Sequence, residues 1–317
     1  MENFLFSLNS TLPVFLIIVA GYEFMKMKMF TEDFIRVTDK FVFKVTLPIM
    51  LLLDVAETDI GATFSGEFVV FCMVGTCIMF LGVWIPCLIF MKDRDMIGAF
   101  AMSSVRGSAA VLGVAFADNI FGDAGMTAMM IMASVPLYNI FSVIFLTLGA
   151  KHRDKSLSPK KQAVNVLKGV VTNPLIIAIF LGMILAYFKI ELPTIPYKFL
   201  NSLGSTATPL ALLVVGASFD WKKAWLRIKP TIAASVIKLV LLPLIFMPLA
   251  IALDFNGPQL IAILTMSGSP TTVACYIMAK NMDNDHVLTS SIVMVTTLFS
   301  SVTLTIWVYI LKVMELI

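Results

Sequence analysis

The sequence predicts an all-α polytopic membrane protein with ten transmembrane helices, arranged as two inverted five-helix repeats. Hydrophobic residues make up 59% of the 317 residues and charged residues only 14%, whereas soluble domains carry roughly 25% charged residues. Hydrophobic runs long enough to cross a ~30 Å hydrocarbon core recur along the whole chain. Small or helix-breaking residues of the first half recur in the second half at a constant offset of 161 positions.

The hydrophobic runs define ten predicted spans, and each is long enough to cross the bilayer as a helix. The four cysteines lie within these spans, which is typical of small apolar packing residues rather than of disulfides or a metal site. The predicted spans are 4–23, 38–56, 67–91, 96–117, 125–149, 168–188, 197–219, 231–253, 259–279 and 287–312.

Lysine and arginine are distributed unevenly between the connections. Seventeen lie in the odd-numbered connections and three on the opposite side. Because cytoplasmic loops carry the excess of basic residues, the odd-numbered connections are predicted to be cytoplasmic and both termini to lie outside. The predicted location is therefore the cytoplasmic membrane, crossed many times and surrounded by lipid.

The offset of 161 divides the chain into two repeats. The first repeat is predicted at 1–150 and the second at 163–317, with a basic cytoplasmic linker at 151–162. Because five is an odd number of spans, the second repeat begins on the opposite side of the membrane, so the repeats are inverted. The matched pairs are Pro13 and Pro174, Gly21 and Gly182, Pro48 and Pro209, Gly107 and Gly268, and Ser108 and Ser269.

The fourth and ninth spans are predicted to be broken and to cross near the midplane. Each carries a cluster of Ser, Thr, Gly or Pro at its centre, and such residues free backbone groups that protein, water or ligand must satisfy. Half-helices that meet there direct N-terminal N–H groups at the midplane, which favours an anion. The alternative is that these small residues merely allow close helix packing. The predicted hinge and crossing residues are Gly107, Gly268, Pro270, Pro48 and Pro209.

Arg106 lies at the centre of the fourth span, where an arginine costs roughly 2.5–3.5 kcal/mol on insertion scales. The span interiors contain no carboxylate to pair with it. Its counter-ion is therefore predicted to be the substrate, most naturally a carboxylate held by two parallel hydrogen bonds. The predicted substrate-binding residues are Arg106, Gly107, Ser108, Ser103, Asn139, Ser267, Gly268, Ser269, Pro270 and Thr271.

Two further polar residues have alternative predicted roles, and two others are predicted helix caps. Lys238 lies about two turns inside the eighth span, and either its amine reaches the interface or it lines a cavity. Asn139 lies mid-span, where it either bonds neighbouring helices or contacts substrate. Asn173, before Pro174, is predicted to cap the sixth span, as Thr31 is predicted to cap a short interfacial helix.

At these positions the chain resembles the auxin efflux carrier family, in its bacterial branch. The similarity covers nearly the whole chain. The matching stretches are 41–48, Arg106-Gly107-Ser108 through Gly113, Asn173-Pro174 through Gly182, 208–213 through Gly216, and Ser269-Pro270-Thr271.

The resemblance implies two inverted five-helix repeats, and a scaffold and a transport domain that move against each other. It also implies transport of organic acid anions: auxin in plants, and malate, malonate and similar small acids in bacteria. Where the family pattern usually has an asparagine after the arginine and its small neighbour, this chain has Ser108.

The predicted function is therefore a secondary carrier for small mono- or dicarboxylates that works by alternating access. No phosphate-binding loop of the GxxxxGK[ST] kind occurs in the sequence. A membrane-embedded enzyme is a weaker alternative, because the two histidines lie in loops and no paired carboxylates or HExxH motif occur. A channel or sensor on the same scaffold is the third alternative.

No cofactor and no resident metal are predicted. The coupling ion is predicted to be sodium or a proton, with Ser104 and Thr272 as candidate sodium ligands. The predicted partners are a small organic anion and membrane lipid, without nucleic acid, and a homodimer is left open.

Overall fold

The computed structural model describes residues 2–57, 65–122, 125–150, 164 and 167–317. Within these ranges the chain is almost wholly helical and contains no β-strand. The predicted linker at 151–162 lies outside the described residues.

The helices of the first half follow the predicted spans closely. A π-helical turn, Val42–Thr46, joins the second helix to the third without a gap. The helices are α1 (Glu2–Lys26), α2 (Glu32–Phe41), α3 (Leu47–Ala56), α4 (Gly66–Phe90), α5 (Ile97–Val105), α6 (Ala109–Phe121) and α7 (Gly125–Gly149).

The second half contains a second π-helical turn, Ile237–Leu241, which lies in the middle of the predicted eighth span. The helices are α8 (Pro174–Tyr187), α9 (Thr194–Gly204), α10 (Ala207–Ala217), α11 (Trp221–Leu226), α12 (Ile228–Val236), α13 (Leu242–Ala252), α14 (Pro258–Gly268), α15 (Ala274–Asn281) and α16 (His286–Val313).

Several of these segments are suited to a bilayer. Five helical segments in the described ranges are long and apolar enough to cross a membrane by length and composition, and many of their large apolar side chains face outward. Such a surface is suited to lipid rather than water, so the chain is a membrane protein. The five segments are Gly66–Phe90, Gly125–Gly149, Thr194–Ala217, Ile228–Ala252 and His286–Val313.

Helix starts follow the local chemistry of the sequence. The Thr31 hydroxyl accepts a hydrogen bond from Phe34 N at the start of α2, and the Asn173 side chain accepts one from Leu175 N at the start of α8. Both caps confirm the prediction. Pro209 lies in the first turn of α10, where a missing N–H costs no intrahelical bond. Pro48 comes directly after the π-helical turn inside a continuous helical segment, so its missing N–H interrupts the hydrogen-bond ladder there.

Two helix pairs form close backbone contacts through glycine. Helix α1 packs along α10, and α3 packs along α8. A Cβ atom on Gly21 would overlap the Leu213 carbonyl, and one on Gly182 would lie 2.7 Å from the Leu52 carbonyl. Residues 21 and 182 are 161 positions apart, as are 52 and 213, so the same contact occurs twice.

Adding a methyl group at Gly216 is expected to destabilise the α1–α10 pair. A Cβ there would overlap the Ile18 carbonyl, which is backbone and cannot rotate away. Gly216→Ala should cost about 1–3 kcal/mol through overpacking, measured as a lower thermal unfolding temperature in detergent. Gly82→Ala on α4 is the matched control, because no atom lies within 4 Å of its Cβ position. Equal unfolding temperatures for the two variants would contradict the contact.

Candidate functional site

Two helix interruptions meet inside the protein, as predicted for the fourth and ninth spans. The first separates α5 from α6 at Arg106–Ser108, and the second separates α14 from α15 at Ser269–Val273. Gly107 and Thr271 form an isolated antiparallel bridge. Ser108 N also donates a 2.8 Å hydrogen bond to the Pro270 carbonyl. We call these two interruptions together the helix-break junction.

Side chains hold the two interruptions in register. The Thr271 hydroxyl donates to the Ser103 carbonyl at 2.7 Å, and Thr271 N donates to the Thr296 hydroxyl of α16 at 3.1 Å. Gly107 lies so close to Ser269 that a Cβ atom would overlap the serine hydroxyl. Only glycine therefore fits at this position without displacing its neighbour.

The Lys238 side chain donates hydrogen bonds to free carbonyls at the C-terminal ends of α5 and α14. Its side chain is 0% exposed. The ammonium group donates to the carbonyls of Val105 at 2.8 Å, Ser267 at 2.9 Å and Met266 at 3.3 Å. Neither sequence-based alternative for Lys238 is observed, because the side chain neither reaches an interface nor lines the cavity described below. The carbonyls freed by the helix ends attract it instead.

Arg106 is buried, with 4% of its surface exposed, and it ends α5 in an extended conformation. Its guanidinium contacts the Met278 sulfur at 2.9 Å and the Ser142 hydroxyl at 3.4 Å. No carboxylate lies within ion-pair distance of it among the described residues. Both contacts are neutral, and a thioether sulfur is a weak acceptor, so the guanidinium has no anionic partner in the part of the chain that the structure describes.

A cavity of about 120 Å³ lies against the junction. The start of α6 opens onto it: Ala109 lines it, and Ser108 caps α6 without a side-chain hydrogen bond. Among the polar lining residues are Thr11 of α1, Asp54 of α3, Arg106, Ser108, Tyr138 of α7, Thr208 of α10, Thr271, Thr272 and Thr297 of α16.

The cavity contains half of the predicted substrate-binding residues. Arg106, Gly107, Ser108, Pro270 and Thr271 line it. The others do not line the cavity, although all of them are buried. Those other residues are Ser103, Asn139, Ser267, Gly268 and Ser269.

Three side chains proposed from the sequence are engaged in local hydrogen bonds. The Asn139 amide donates to the Val135 carbonyl at 2.9 Å, and the Ser267 hydroxyl donates to the Ile263 carbonyl at 2.8 Å. The Ser104 hydroxyl donates to the Phe100 carbonyl at 2.7 Å. Thr272, the other candidate sodium ligand, lines the cavity, and its N–H points to the Arg106 carbonyl at 3.4 Å.

Sequence reasoning missed the contribution of Asp54 and the threonines. Asp54 is exposed and lies near the end of α3, yet it lines the same cavity as Arg106. A signal was present, because Asp54 follows an uninterrupted apolar run, 47–53. Thr11 and Thr208 had no such signal, since single threonines are common in membrane helices.

The chain matches a family model described as a membrane transport protein over residues 6–308. The uncharacterized transporter MJ1031 of Methanocaldococcus jannaschii is 23% identical over 317 residues, which cover 96% of this chain and 98% of the relative. The uncharacterized transporter YfdV of Escherichia coli strain K12 is 22% identical over 314 residues, with the same coverage.

Gly107→Ala is expected to lower the thermal unfolding temperature, because the new methyl group overlaps the Ser269 hydroxyl. We expect a cost of about 1–3 kcal/mol. In a Ser269→Ala background the hydroxyl is absent, so the same substitution should cost clearly less. The double-mutant cycle isolates this contact, and an equal cost in both backgrounds would rule out the overlap as the cause.

Proposed function

Because the chain belongs to the membrane transport protein family, that of the auxin efflux carriers, we propose that it is a secondary carrier for small organic acid anions. The proposed cargo is a mono- or dicarboxylate of the malate, malonate or auxin-like type, carried across the cytoplasmic membrane. The relatives named above are described as transporters without a stated substrate.

One observation carries the proposal: a buried guanidinium beside a cavity has only neutral contacts among the described residues. Leaving a buried charge unpaired is costly. A carboxylate entering the cavity exchanges a thioether and a hydroxyl for charge-assisted hydrogen bonds, which are shorter and stronger. The start of α6, where the Ser108 side chain makes no capping hydrogen bond, adds favourable N–H groups for the same anion.

In this proposal the ten spans form two inverted five-helix repeats, with both termini outside. The two glycine contacts support it, since Gly21 with Leu213 and Gly182 with Leu52 repeat at the offset of the sequence repeat. The paired interruptions support it as well, because binding sites of inverted-repeat carriers lie where discontinuous helices meet.

We propose that the carrier works by alternating access. An ion pair in α2 supports this, because it lies at the end of the α2–α3 segment that is far from the cavity residue Asp54. Asp39 of α2 is buried and pairs with Lys280 of α15, whose ammonium also donates to the Tyr276 hydroxyl at 2.9 Å. Asp39 and Asp54 are 15 residues apart, about 22 Å along a helix. We place this pair on the cytoplasmic side, where it closes the path from the cavity to the cytoplasm.

Arg106→Gln should lower the affinity for a transported acid by about ten- to a hundredfold, since a hydrogen bond to a charged group contributes about 1.5–3 kcal/mol. Arg106→Lys should also transport poorly, because an ammonium group cannot form the two parallel hydrogen bonds by which a guanidinium binds a carboxylate. The measurement is counterflow of labelled malate, malonate and an auxin-like monocarboxylate in proteoliposomes. Arg36→Gln is the matched control, because Arg36 is exposed and pairs with Asp33.

The same assay separates the alternative functions. Saturable counterflow supports a carrier, flux proportional to the gradient supports a channel, and chemical conversion of the acid supports an enzyme. Unchanged affinity and rate in Arg106→Gln would refute the proposed role of the guanidinium.

In the Asp39→Asn variant the cavity should be open to the cytoplasm for a larger fraction of the time, because the Lys280 ammonium loses its charged partner. The measurement is labelling of Cys275, which is 0% exposed, by a membrane-impermeant maleimide in inside-out vesicles, with the other cysteines replaced. We expect labelling several-fold faster than in the parent protein. Asp33→Asn is the matched control on the same helix, because Asp33 is exposed. Equal labelling rates in the two variants would contradict the proposal that the Asp39–Lys280 ion pair closes the cytoplasmic side.

A further inference from the structure

Lys238 is a charged side chain that the proposed anion site does not use. It is fully buried, does not line the cavity, and has no carboxylate within ion-pair distance among the residues that the structure describes. A lysine ammonium has three donors and no acceptor. Here it meets three carbonyl oxygens, of Val105, Met266 and Ser267, at 2.8–3.3 Å.

These oxygens belong to the C-terminal ends of two different helices. Val105 is the last residue of α5, while Met266 and Ser267 lie in the last turn of α14. Helix C-termini carry partial negative charge and favour a cation. Discontinuous helices of membrane carriers use the same group, carbonyls at half-helix ends, to coordinate a free cation.

The ammonium lies at the contact between the two interruptions. A Cβ atom on Gly107 would lie 2.9 Å from Lys238 Nζ. Lys238 itself belongs to the π-helical turn Ile237–Leu241, and such turns are frequent at functional sites. A cation at this point holds α5 and α14 together and neutralises both helix ends.

We propose that the Lys238 ammonium is the resident monovalent cation of the helix-break junction and occupies the place of a free cation. The junction therefore needs no sodium ion, and removal of the side chain creates a site for a small external cation. The consequence for transport, independence from sodium at this point, rests on the proposed carrier function. The site itself does not.

The test uses thermal unfolding of the full chain in detergent, which requires no transport. Lys238→Ala removes three carbons and the ammonium, a shape that n-propylammonium matches. We expect the variant to unfold several degrees lower than the parent protein, because buried carbonyls lose their donor. We expect n-propylammonium, but not tetramethylammonium at the same ionic strength, to restore most of that loss.

Two controls separate a cation site from general destabilisation. In Lys238→Met the side chain fills the space without a charge, so n-propylammonium should have no effect. Lys44→Ala removes an exposed lysine from the other π-helical turn, and it should neither unfold early nor respond to the amine. If Lys238→Ala folds and n-propylammonium stabilises it no more than it stabilises Lys238→Met, the proposal is wrong.

The parent protein supplies a second test that needs no variant at all. Its unfolding temperature should be the same in sodium chloride and in choline chloride of equal ionic strength, and a rise specific to sodium would overturn the proposal. If amine rescue succeeds while no acid is transported, the carrier function fails and the cation site stands. Sodium-independent counterflow by the parent protein, lost in Lys238→Ala and regained with n-propylammonium, would support both.

Discussion

The structure depends on one constraint: the backbone groups that two broken helices leave free must find partners inside the protein. Two buried cations, Lys238 and Arg106, lie at these helix breaks. Breaking α5 from α6 and α14 from α15 frees backbone groups that cannot be left unpaired inside a membrane protein. The carbonyl ends receive the Lys238 ammonium, while the two interruptions bond to each other through Gly107, Ser108 and Thr271. Arg106 lies beside these groups, and its side-chain contacts with the described residues are to a neutral sulfur and a neutral hydroxyl.

The two cations therefore have opposite roles although both are buried. Lys238 has its three donors matched by oxygens, which makes it part of the fold. Arg106 faces a thioether, a hydroxyl and a cavity, which makes it available to an anion. The cavity also contains Asp54 and several threonines, so the organic acid proposed above would meet one basic group, one acidic group and hydroxyl donors.

The helices around the junction differ in how tightly they are joined. Glycines at positions 21, 182 and 216 bring α1 against α10 and α8 against α3 at backbone distance. By contrast, the polar contacts between α2 and α15 within the described residues are the ion pair of Asp39 with Lys280 and a hydrogen bond from the Asn281 amide to the Asp39 carbonyl. Close backbone packing resists sliding because it cannot be exchanged for another arrangement, whereas an ion pair can exchange its partners for water. This difference is consistent with the alternating access proposed above.

Sequence alone determined the membrane class, most of the helical segments, the two interruptions and the position of Arg106 in a span interior that contains no carboxylate. Each follows from local composition: apolar run length, the helix-breaking effect of Gly and Pro, and the cost of a charge in hydrocarbon. Tertiary structure alone decided which residues share the cavity and which carbonyl oxygens Lys238 contacts. It also decided which serine hydroxyls donate hydrogen bonds to backbone carbonyls and are therefore engaged within the protein. The reason is that Lys238 and Val105 are 133 positions apart in the chain, and no local pattern encodes which freed carbonyls a distant ammonium will reach.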